Sequence, residues 1–99
     1  MRIEDWRAQI DEVDNELLRL LNRRARLAAR IGGMKSRAGL PLYDAEREQE
    51  VLARACRANA GPLDERAVAR IFRRIMAETR AVQARDAERP ATEQAREVA

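Results

Sequence analysis

The chain contains no histidine, one cysteine and 20 cationic residues, of which only Lys35 is not arginine. Without histidine there is no nucleophile–base pair of the serine–histidine or cysteine–histidine kind. A disulfide framework is excluded by the single Cys56, and the same shortage argues against a Cys/His metal site. General acid–base work would rest on Asp44 or Glu48 alone. Gly32-Gly33 matches no phosphate-binding loop. What this inventory can supply is binding, orientation and electrostatics. Arginines clamp carboxylates through their planar fork. A lysine and an amide such as Gln83 can donate to an oxygen that gains charge as a bond breaks. A unimolecular rearrangement of a small dianion needs no more than this.

Spacing gathers these residues. Apolar residues recur at 3, 6, 10, 13, 17, 20, 27, 31 and 34, the seam of a helix lying along another helix. Arg24 interrupts that seam between Leu20 and Leu27. Lys35 follows eleven residues later, about three turns on, so the two share a face and stand roughly 16 Å apart. The next segment opens with Asp44, Arg47 and Glu48 on the face that continues as Val51 and Leu52. In the third, the stripe Val68, Phe72, Ile75 and Met76 ends in Thr79 and Gln83. Each feature has a plainer reading. Arg24 suits a snorkelling side chain, Asp44 a helix cap, Arg47 and Glu48 solvated surface, and Thr79 with Gln83 the wet end of a bundle. Buried polar groups are costly unless paired, however. Three such breaks at one level favour a shared polar pocket. Cys56 and Trp6 read as packing residues.

The elements that must position these groups are three helices, giving an all-α fold. The first is expected over about 3–37. A loop around Gly39 and Pro41 follows. The second helix is expected over 45–59, capped by Asp44 and ended by Asn59-Ala60-Gly61-Pro62. The third runs from the Asp64 cap to about residue 85. Residues 1–86 form the expected domain, and 87–99, which carry Pro90 and scattered charge, a frayed tail. A helix of 35 residues spans about 50 Å, whereas a compact chain of this length has a radius of gyration near 13 Å. A second copy of the chain is therefore expected to cover the seam, making a homodimer.

No signal peptide or membrane span is apparent, and a cytoplasmic protein is expected. The net charge of +3 suits an anionic small molecule or a nucleic acid. A basic nucleic-acid-binding module would use Arg19, Arg23, Arg26, Arg30, Arg70, Arg73 and Arg74. Interleaved acidic residues and the lack of helix-turn-helix spacing speak against it.

Residues 6–83 resemble the all-helical (type II) chorismate mutase family. The resemblance is carried by Trp6-Arg7-Ala8-Gln9-Ile10-Asp11, Leu20-Leu21-Asn22-Arg23-Arg24, Ile31-Gly32-Gly33-Met34-Lys35, Pro41 through Glu48, and the pair Thr79 and Gln83. It implies an isomerase that converts chorismate to prephenate by a Claisen rearrangement, with no cofactor, for phenylalanine and tyrosine synthesis. It also implies an intertwined homodimer with sites shared between protomers. By matching positions, Arg24 would bind one substrate carboxylate, and Arg7 a carboxylate in the other protomer's site. Lys35 and Gln83 would donate to the ether oxygen. Glu48 and the Asp44 backbone would hold the ring hydroxyl. Arg47 would support the carboxylate side, and Thr79 would contact a carboxylate. Relatives acting on isochorismate or aminodeoxychorismate are the nearest alternatives, and Glu48 could hold an ammonium as well as a hydroxyl. A partner enzyme of the aromatic pathway is a further expectation.

Overall fold

A computed structural model describes residues 1–87. It contains three helices: α1 (Ile3–Arg37), α2 (Ala45–Ala58) and α3 (Glu65–Ala87). No strand occurs among the described residues. The expected α1 limits match. Helix α2 stops one residue short of the expected end, and α3 extends two beyond it, so Ala87, assigned to the tail, is helical. The rest of that expected tail lies outside the described residues.

The helix ends follow from local chemistry. Glu4 and Asp5 in the first turn of α1, and Lys35 and Arg37 in its last, complement the helix dipole. The stop is a Schellman turn: Gly39 adopts φ 71°, its N–H donates to the Ser36 carbonyl at 3.2 Å, and the Leu40 N–H donates to the Lys35 carbonyl at 2.8 Å. Pro41, which cannot continue a helix, follows. Lys35 is thereby fixed in the final turn. The Asp44 carboxylate accepts the Arg47 N–H at 3.0 Å, and the Asp64 carboxylate accepts the Ala67 N–H at 2.7 Å. Both are the acidic caps expected from the sequence.

Helix α3 packs along α1, and α2 packs on α3. The resulting core is thin. Its buried apolar side chains are Ala28, Val51, Val68 and Met76. The seam of α1 is uncovered within one chain: Trp6 is 54% exposed, Ile10 57%, Val13 62% and Leu17 49%. The molecule is correspondingly elongated, with extents of 54 × 28 × 18 Å and a radius of gyration of 16.8 Å, well above the value for a compact chain.

Gly32 and Gly33 are both buried, and α1 runs through them without a break. At Gly32 the α3 backbone comes close to α1. A Cβ there would lie 3.0 Å from the Gln83 Cβ, 3.1 Å from its carbonyl oxygen and 3.2 Å from its Cα. These are backbone and near-backbone atoms that cannot swing aside. Gly32→Ala should therefore destabilise the fold by about 1 kcal/mol, because overpacking of about 1–3 kcal/mol outweighs the roughly 1 kcal/mol gain in helix propensity. Urea melts of the two proteins would check this, and a stabilised variant would show that the helices part freely.

Candidate active site

Side chains from α1, α2 and α3, with Leu42 of the loop between α1 and α2, surround a cavity of about 260 Å³. Arg24, Lys35, Asp44, Arg47, Glu48, Thr79, Arg80 and Gln83 supply its polar lining. Leu27, Ile31, Leu42, Val51 and Met76 are among its apolar walls. Seven of the eight residues singled out in the sequence are thus brought together. The eighth, Arg7, is exposed near the start of α1 and does not line the cavity.

Each side chain is placed by its element. Arg24 is half-buried on the inner face of α1, and its Nη1 donates to the Thr79 hydroxyl at 2.9 Å. The Thr79 hydroxyl in turn donates to the Ile75 carbonyl at 2.7 Å. Its single proton is committed there, so Thr79 serves as an acceptor that orients Arg24. Burial, and next the charge of Arg47, pull the Arg24 pKa below its ordinary value. An anion in the cavity would offset both through its attraction for the guanidinium.

Gln83 donates from Nε2 to the Ala28 carbonyl at 3.1 Å. That bond fixes which end of the amide is the donor, and a second N–H remains on the same nitrogen. Lys35 is half-buried and lines the cavity from the last turn of α1. The Asp44 carboxylate is occupied as the cap of α2, as its plainer reading held. Arg47 is exposed and also pairs with Glu50 at 3.3 Å, a surface contact of little strength.

Arg80 was missed in the sequence. It donates through Nη1 to Glu48 Oε2, and its guanidinium carbon lies 5.4 Å from the centre of the Tyr43 ring, within cation–π range. The hydrogen bond to Glu48 is the main cause raising the Arg80 pKa above its ordinary value. A signal did exist: position 80 lies four residues after Met76 and three before Gln83, on the same inner face.

Four cationic and two acidic side chains line the cavity. One acid is neutralised by Arg80 and the other caps a helix. The field therefore favours a small anion carrying more than one negative charge. Among the described residues no cluster of His, Cys, Asp or Glu could hold a metal ion, and no helix is long and apolar enough to cross a membrane.

A family model described as chorismate mutase type II matches residues 6–84. A bifunctional chorismate mutase/prephenate dehydratase from Neisseria gonorrhoeae is 46% identical over 86 residues, covering 87% of this chain and 22% of that protein. The chain likewise spans 22% of the corresponding bifunctional protein from Aquifex aeolicus. The structure of a chorismate mutase from Thermus thermophilus is 36% identical with a TM-score of 0.84, covering 86% of this chain and 97% of that one. A chorismate mutase from Helicobacter pylori, solved in complex with prephenate, is 30% identical with a TM-score of 0.81, covering 89% of this chain and 96% of the other.

Proposed function

This chain belongs to the type II chorismate mutase family, and from that premise we propose that it is an isomerase converting chorismate to prephenate in aromatic amino acid synthesis. The observation that carries the reading is the single cavity into which Arg24, Lys35, Arg47, Glu48 and Gln83 converge. Chorismate is a dianion whose reaction breaks an ether C–O bond while a C–C bond forms. Charge builds on the ether oxygen in the transition state. Lys35 from α1 and the remaining Gln83 N–H from α3 are the donors available to meet it. Arg24, held by Thr79, takes one carboxylate, with Arg47 beside it. Glu48, steadied by Arg80, accepts from the ring hydroxyl, and the Asp44 backbone stands next to it at the start of α2.

The site as one chain presents it lacks a second clamp on the far carboxylate. Arg7 lies 17 residues before Arg24, about 25 Å along the same helix, so it cannot reach this cavity. An antiparallel copy of α1 laid on the exposed seam would bring its own Arg7 there. The reading therefore includes a homodimer with two shared sites, built from residues 1–86. In relatives of the bifunctional kind a prephenate dehydratase activity accompanies the mutase. A consumer of prephenate is accordingly the kind of partner enzyme this chain would serve.

The test is the loss of chorismate absorbance with purified protein, the product being identified by acid conversion of prephenate to phenylpyruvate. No product from folded protein would overturn the reading. The pH profile adds a sharper check. A neutral amide donates at any ordinary pH, so kcat should stay nearly flat between about pH 5 and 9. In Gln83→Glu the donor exists only while the carboxyl is protonated. Activity of that variant should fall about tenfold per pH unit above the new group's pKa. A flat profile in both proteins would remove Gln83 from the reacting oxygen.

A further inference from the structure

Arg80 joins three segments: it rises from α3, bonds Glu48 of α2 and lies over Tyr43 of the loop between α1 and α2. The pair is partly sheltered, with 39% of the Arg80 side chain and 23% of the Glu48 side chain exposed. Beside it, α2 packs on α3, with Val51 of α2 and Val68 of α3 buried. The pair's effect falls on the cavity. A bare Glu48 would be a negative charge facing the ring substituent, and would receive an ammonium at least as readily as a hydroxyl. With Arg80 on Oε2 the carboxylate is neutralised but still has lone pairs on Oε1. A hydroxyl can donate to those at no electrostatic cost. An ammonium in the same place would sit within a few ångströms of a guanidinium that the Tyr43 ring holds in position, and like charges at that range repel.

Resting on the mutase reading above, we infer that Arg80 is a specificity-determining residue, which acts through Glu48 to admit a ring hydroxyl and reject the substrate analogue bearing an amino group at that position. The other lining cations act in the same direction. Arg24, Lys35 and Arg47 favour the two carboxylates and, with Arg80, outnumber the acidic groups Asp44 and Glu48 in the lining by four to two, so an added ammonium meets a net positive field. Selection is thus made by repulsion of the wrong substrate.

The experiment compares kcat/KM for chorismate and for 4-amino-4-deoxychorismate in the parent protein, in Arg80→Met, in Arg80→Gln and in Arg80→Lys, with circular dichroism confirming that each is folded. The parent should prefer chorismate. Removing the charge in Arg80→Met or Arg80→Gln should raise the amino-to-hydroxyl ratio of kcat/KM by about tenfold or more. Arg80→Lys, which keeps the charge, should hold the ratio near the parent value, whereas loss of a purely structural tie in the neutral variants would lower both kcat/KM values together and leave the ratio unmoved. Folded neutral variants with an unchanged ratio, or a parent that takes both substrates equally, would overturn the assignment of Arg80 while leaving the mutase reading intact. Turnover of neither substrate by the parent would overturn that reading and this one with it.

Discussion

Replacing Lys35 with alanine should lower kcat by about 10²- to 10³-fold while KM changes far less, on the scale of a lost transition-state donor. The effect is differential. The ether oxygen of bound chorismate is a weak acceptor, and becomes a strong one only as its bond stretches. A cation aimed at it therefore stabilises the transition state more than the ground state. Lys35 is suited to this by position: the Schellman turn at Gly39 ends α1 within one turn of it, and the half-buried side chain lines the cavity. Gln83 cannot substitute, because one of its N–H groups is bonded to the Ala28 carbonyl and it carries no charge. Single-turnover measurements would separate chemistry from product release. A kcat within about threefold of the parent would sink this mechanism.

The second large effect concerns Arg7. Arg7→Ala should lose much of its activity, because a bidentate arginine–carboxylate contact of about 1.5–3 kcal/mol disappears. Mixing is more telling than the loss. In a homodimer with shared sites, Arg7→Ala and Lys35→Ala damage different halves of each site. A heterodimer of the two has one doubly damaged site and one intact site. Equal amounts, allowed to exchange subunits, should recover about a quarter of parental activity from two nearly inactive proteins, since half the dimers are mixed and half their sites are whole. No recovery would mean that Arg7 serves its own chain's cavity or none.

Much of this was legible in the sequence for identifiable reasons. The helix limits were readable because the ends carry strong local signals: Asp44 and Asp64 as caps, Gly39 before Pro41 as a stop. The polar pocket was readable because Arg24, Lys35, Thr79 and Gln83 stand where the helical period calls for apolar residues. What stayed hidden depends on partners distant in sequence. Arg80 shares the inner face of α3 with Met76 and Gln83, but its spacing alone names no partner for the guanidinium. Only the fold reveals that Glu48, 32 residues earlier, is within its reach. The use of Thr79 as a support for Arg24 was hidden likewise, since its hydroxyl proton goes to a backbone carbonyl. A glycine pair inside a helix permits a neighbour to come close. That the neighbour is Gln83 itself emerges from the packing.

The uncovered seam of α1 has a consequence for how such a protein behaves as its abundance changes. A chain that leaves residues such as Val13 and Leu17 half-exposed is not a finished thermodynamic unit. If a second chain completes both the core and the site, folding, assembly and activity form one linked equilibrium governed by mass action. Dilution would then lower the stability and the specific activity together. A cell that expresses the protein abundantly and a cuvette that holds a trace of it would contain, in effect, different enzymes.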